Sequence, residues 1–143
     1  MTRIRFFLPA LTAALLILGI FTIARARQTG EGFILEKESM IAKKEKGPHN
    51  GGGETAAYSF FAGAENFDLA FRKRVLFPGS SIGYHLQQGD EIYYILSGRG
   101  LMTVNGKTFD VAPGDAVLTR PGNSHGLRPT NNDTLVLIIN YKK

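Results

Sequence analysis

An imidazole, an amide and a carboxylate stand within seven residues at His85, Gln87 and Glu91, all three donor types for a divalent cation. Side chains two apart on a strand share a face, about 6–7 Å apart along it, so His85 and Gln87 can address one point. Gln88-Gly89-Asp90 is turn-type sequence, and Glu91 opens the apolar run Ile92-Tyr93-Tyr94-Ile95-Leu96. The expectation is a hairpin: the strand of Glu91 pairs antiparallel with that of His85, and the three side chains converge.

The elements that must position such a site are strands. Tyr58 to Phe61 is a short apolar segment, and Phe67, Leu69, Phe71, Val75 and Phe77 alternate with Asp68, Arg72 and Arg74. On that alternation Phe71, Val75 and Phe77 are expected to wall the interior. The cluster Arg72-Lys73-Arg74 is expected at the surface or at a subunit contact, although it could instead grip an acidic ligand. Asn105-Gly106 between Leu101–Val104 and Lys107–Val111 is a strong hairpin signal. Pro113-Gly114-Asp115 and Arg120 to Asn123 read as turns around the strand Ala116–Thr119, and Leu135 to Tyr141 reads as a buried closing strand. About eight short strands with regular turns and no helical period predict an all-β sandwich or barrel.

The residues from Gly79 to Gly98 resemble the first motif of the cupin superfamily, G-x5-H-x-H-x3,4-E-x6-G, through Gly79, His85, Glu91 and Gly98, with Gln87 where a second His would stand. Downstream, Gly114, Gly122 and His125 fit the second motif, G-x5-P-x-G-x2-H-x3-N. Arg120 replaces its Pro and Pro129 its Asn. The resemblance covers residues 70 to 141 and implies a double-stranded β-helix, or jelly-roll barrel.

It also implies His125 as a fourth ligand candidate, so that His85, Gln87, Glu91 and His125 would form the metal set. Two His and one carboxylate suit Fe(II) with open positions, and also Mn(II), Ni(II), Co(II) or Zn(II). The amide of Gln87 is a weaker donor than imidazole and either binds the ion or holds a water on it. The competing reading is a satisfied polar cluster without metal. On the parity of Glu91, Tyr93, Ile95 and Ser97 are expected to face the barrel interior. Glu91 and Tyr93 are then the catalytic candidates, Glu91 as ligand or displaced base and Tyr93 as a polar handle over the ion. For Tyr93 the alternative is core packing with its hydroxyl satisfied.

Three segments are expected: residues 1–26, a connector over 27–54, and the barrel over 55–143. Arg3 and Arg5 precede an uncharged run from Phe6 to Ala24, and Ala24-Arg25-Ala26 has the small-x-small form of a cleavage site. A cleaved export signal is the first reading and an uncleaved membrane anchor the second, with a core helix as the remaining one. Either of the first two places the barrel in the periplasm, outside the cell, or on a membrane facing out of the cytoplasm. Loss of residues 1–26 removes three arginines and no acid, lowering the net charge from +5 to +2. The case for nucleic acid then largely disappears, and membrane contact is left to the N-terminal segment if it is uncleaved. In the connector, Phe33 to Ile41 reads as an edge strand or helical turn, Ala42 to Lys46 as a solvated charge run, and Gly51-Gly52-Gly53 as a flexible break rather than a phosphate loop. His49 in that loop is expected to be exposed, with a place over the barrel mouth as the alternative.

The chain of 143 residues is 43% hydrophobic and has no Cys, which excludes thiolate nucleophiles, sulfur-ligated metals and disulfides. No nucleophile elbow, Walker loop or Rossmann glycine pattern is present. Three functional readings remain. A metal-dependent enzyme acting on a small molecule, with the dioxygenase, lyase or isomerase chemistry of small cupins, leads. A non-catalytic small-molecule or metal-binding domain follows, and a structural role with a degenerate site comes last. The resemblance further implies a homodimer, and exposed strand edges point the same way.

Overall fold

The computed structural model describes residues 32–143. The expected export or anchor segment, residues 1–26, lies outside the described residues, as do residues 27–31 of the connector. No described helix is long and apolar enough to cross a membrane.

From Ile34 onward the chain forms one compact unit of β-structure. A single helical turn, α1 (Glu38–Ile41), leads into ten strands among the described residues: β1 (Ala42–Lys46), β2 (Glu54–Phe60), β3 (Leu69–Leu76), β4 (Ile82–Leu86), β5 (Glu91–Ser97), β6 (Gly100–Val104), β7 (Lys107–Val111), β8 (Ala116–Thr119), β9 (Ser124–Pro129) and β10 (Leu135–Lys142). They make a six-stranded sheet ordered β1-β2-β3-β10-β5-β8 and a four-stranded sheet ordered β4-β9-β6-β7. All pairings are antiparallel. Leu76, Ile95, Leu135 and Leu137 from the larger sheet and Ile82, Met102, Val111 and Leu127 from the smaller share one buried core. Each such side chain contributes roughly 1.5–3 kcal/mol on leaving water. The sheets therefore close on each other as the expected all-β jelly roll.

The Asn105-Gly106 turn joins β6 to β7 with both residues at positive φ, 48° and 76°, as a two-residue hairpin requires. The hairpin expected around His85 and Glu91 does not form. β4 pairs with β9 in the smaller sheet while β5 pairs with β10 and β8 in the larger, so Gln87 to Asp90 cross from one sheet to the other. Gln87 holds this crossing by accepting from Gly122 N at 2.9 Å and donating to Asn123 O at 2.8 Å through its backbone.

The residues Ala42 to Lys46 are exposed throughout, as a solvated charge run should be, and also form the edge strand β1, paired with β2 through backbone bonds that need no apolar pattern. Two further expectations are overturned. On β3 the inward parity is Ala70, Arg72, Arg74 and Leu76, not Phe71, Val75 and Phe77. Phe71 instead packs against Phe60 of β2, at 5.7 Å between ring centroids. On β5, Glu91, Tyr93 and Ile95 are buried as expected, but Ser97 is exposed, beyond an irregularity in the β5–β10 register at Val136 and Leu137.

Candidate metal centre

His85 and His125 are register partners on β4 and β9, and Glu91 and Thr119 are register partners on β5 and β8. The smaller sheet thus supplies the imidazoles and the larger one the carboxylate. One donor atom from each of His85, Glu91 and His125 lies within 4.8 Å of the others. The two imidazoles meet edge to face, with ring centroids 4.6 Å apart.

Neighbouring groups fix the ring orientations. The Nδ1 of His85 donates to the Gly83 carbonyl at 2.8 Å, which leaves Nε2 with a lone pair. The Nδ1 of His125 lies 2.6 Å from Thr119 Oγ1, a residue that is itself buried, and with Nδ1 donating there Nε2 carries the lone pair. That Nε2 sits 3.2 Å from the Tyr93 hydroxyl and 3.0 Å from Glu91 Oε2. Glu91 Oε2 is buried and has no hydrogen bond. A buried carboxylate oxygen without a donor, facing an imidazole lone pair, is an arrangement that a cation between them stabilises. Hydrogen bonds to the far ring nitrogens are the usual means of orienting metal-bound His. The donor set and the unpartnered oxygen both fit a divalent ion.

Tyr93 is buried, and its hydroxyl is pushed well above the usual phenol range by that burial first and by the adjacent Glu91 carboxylate second. It stays protonated at neutral pH and remains a donor. Gln87, just past the end of β4, lines the same cavity as His85, Glu91 and Tyr93.

The cavity has a volume of about 430 Å³, at the small end of the range of about 300–1,000 Å³ typical of small-molecule pockets. Its lining includes three residues that the strand pattern placed elsewhere. Arg72 and Arg74 enter from β3, and His49 enters from the loop between β1 and β2. The His49 ring stacks on His85 at 3.5 Å between centroids and 4° between planes. Burial, and then the neighbouring His85, lower the His49 pKa below its usual value, so it is neutral at pH 7. His49 is exposed, as expected, and also takes the place over the barrel mouth that was the alternative reading.

The reason is a close backbone seat. Gly83 N donates to Pro48 O at 2.9 Å, and a Cβ on Gly83 would fall 1.9 Å from the His49 carbonyl oxygen. Gly51 is held equally tightly, since its Cβ would fall 2.0 Å from Ser81 O. The glycine-rich loop is thus a fitted strap rather than a flexible break. A signal for it was present in the glycines at 51 and 83, which permit two backbones to touch.

Comparison with known proteins agrees with this geometry. The Cupin domain family model matches residues 74–140. The oxalate-binding protein of Thermotoga maritima is 32% identical over 109 residues, spanning 74% of this chain and 90% of the relative. A crystal structure described as a predicted oxalate decarboxylase from Thermotoga maritima superposes with a TM-score of 0.68 at 31% identity, covering 76% of this chain and 98% of that one. A cupin 2 conserved barrel domain protein from Rhodopseudomonas palustris matches with a TM-score of 0.61 at 20% identity, over 71% and 69% of the two chains.

Proposed function

Because the chain belongs to the cupin family, and its barrel gathers His85, Glu91 and the fully buried His125 beside a small cavity lined by the first two, we propose that it binds a small carboxylate, oxalate first, at a divalent metal held by those three residues. The observation that carries the reading is the unpartnered buried oxygen of Glu91 facing Nε2 of His125 across the cluster. Gln87 is proposed as a further donor, to the ion or to a water on it. Fe, Mn, Ni and Zn all suit the set.

When bound, a divalent ion supplies Lewis acidity toward a carboxylate oxygen. The protein residues do the rest. Gly83 and Thr119 hold the two imidazoles in place, and His49 covers one face of His85. Tyr93 keeps a proton next to the site. The likeness to a predicted oxalate decarboxylase supports a second reading, in which the chain is a lyase that cleaves oxalate to formate and carbon dioxide, a proton entering at the carbon that carbon dioxide leaves.

Isothermal titration of the metal-loaded full chain with oxalate is expected to show binding that disappears after chelation. Oxalate binding that survives chelation would overturn the metal-dependent reading. Release of formate decides between binding and lyase activity.

Export and the periplasmic, extracellular or membrane-anchored location remain proposals resting on residues 1–26 alone. The homodimer is likewise a proposal. It is supported by Ile92, Tyr94, Leu96 and Leu118, which expose a row of apolar side chains on β5 and the edge strand β8. Sedimentation of Leu118→Glu against the parent tests it, and an unchanged monomeric mass in both would overturn it.

A further inference from the structure

We infer that Arg72 and Arg74 are the anchor for the far carboxylate of a dicarboxylate ligand whose near carboxylate lies at the metal, so that this barrel selects dicarboxylates over monocarboxylates. The inference rests on the reading that the metal site takes a carboxylate. Its own evidence lies on β3, outside the His-Glu-His cluster.

The three consecutive cations at 72–74 part company across the strand. Lys73 turns outward, where it pairs with Glu38 at 2.6 Å and lies over the Tyr58 ring. Arg72 and Arg74 turn inward and line the cavity with His85 and Glu91. Arg74 is 5% exposed. Its Nη1 donates to Glu45 and, at 3.1 Å, to Thr55, while its Nε is buried with no hydrogen-bond partner. Arg72 rests over the Tyr141 ring at 5.3 Å and has no carboxylate partner among the described residues.

A guanidinium removed from water needs an anion or a full set of acceptors. Arg74 has Glu45 as its anion but leaves one buried donor without an acceptor, and Arg72, two residues along, has no counter-ion among the described residues. With a divalent cation in the cluster, Arg72, Arg74 and Lys142 around the cavity outweigh Glu91 and Glu45, and a dicarboxylate offsets that positive excess more fully than a monocarboxylate. The planar fork of Arg also matches the two oxygens of a carboxylate, which a Lys cannot do. The small volume of the cavity favours a small dicarboxylate, of which oxalate and malonate are the simplest.

The test is titration of the metal-loaded full chain with oxalate, malonate and acetate, in the parent, Arg72→Gln and Arg72→Lys, with metal content measured on every sample. Arg72 is chosen because Arg74 is buried against Glu45 and Thr55, and its loss could unfold β3. Arg72→Gln is expected to keep its metal, to bind acetate within about threefold of the parent, and to weaken dicarboxylates about ten- to hundredfold, with Arg72→Lys between. A parent that binds oxalate, malonate and acetate equally well would overturn the inference while leaving the carboxylate-at-metal reading intact. So would Arg72→Gln with an unchanged dicarboxylate preference, or with its metal lost. A metal-loaded parent that binds none of the acids would overturn both.

Discussion

The inward faces of β3, β10 and β5 carry two different interiors along the same three strands. Toward one end the register brings Leu76 opposite Leu135, with Leu137 and Ile95 beside them, all at most 1% exposed and all apolar. Toward the other end Arg72 and Arg74, Tyr93, Glu91 and Tyr141 line a cavity. The first end is close-packed, and its contribution is stability. The second buries charges and a carboxylate oxygen without a hydrogen bond, which oppose folding. The dry end supplies the stability against which the polar end is held open.

Leu137→Ala should cost about 2–5 kcal/mol of unfolding free energy, measured by denaturant titration, while the folded variant still takes up metal. If metal is lost with Leu137 at conditions where the fold persists, the two ends are not separable. Gly83→Ala comes next, at about 1–3 kcal/mol, because the new Cβ must push the His49 carbonyl aside. It should also release His49 from His85 and weaken metal binding, readable as a changed His49 ring resonance. Glu91→Gln reverses the sign. It removes a buried carboxylate charge that lacks a hydrogen bond, with little change of shape, so the metal-free protein should become more stable by about 0.5–2 kcal/mol while metal affinity falls. A Glu91→Gln variant destabilised without metal would show that the carboxylate is part of the packed core after all.

The smallest effect concerns pH. The His49 pKa is lowered in the folded chain from 6.5, so above that value the imidazole is neutral in both states and contributes no pH dependence. As pH falls through 6.5 the unfolded chain takes up the proton first, and folded stability declines. His49→Ala should lack that component of the decline, and an identical pH profile would contradict it.

His85 and Glu91 were legible in the sequence because they sit in short strands with turn residues at fixed offsets, and an alternating strand has only two faces, whereas His125 came only from the resemblance to the second cupin motif. Glu91 and Tyr93 followed from that parity. The pairing did not, since a Gln-Gly-Asp turn can return a chain to its neighbour or pass it to the opposite sheet, and only the closure of the barrel decides. Arg72 and Arg74 were misread because Phe71, Val75 and Phe77 offered the more apolar parity. Pattern alone cannot tell an apolar face covered by a neighbouring strand from one facing a ligand cavity. His49 comes from a loop 36 positions before His85, and only glycine contacts invisible to periodicity set it there. β1 carried no pattern at all, being an edge strand held through its backbone.

The most direct measurement is elemental analysis of the full chain, purified without chelator, beside His85→Ala, with the unfolding midpoint of each recorded on the same samples. About one Fe, Mn, Ni or Zn per chain in the parent and none in a folded His85→Ala is the predicted result. A parent that holds no metal even after reconstitution, or a His85→Ala variant that holds as much as the parent, would contradict the shared site of His85, Glu91 and His125.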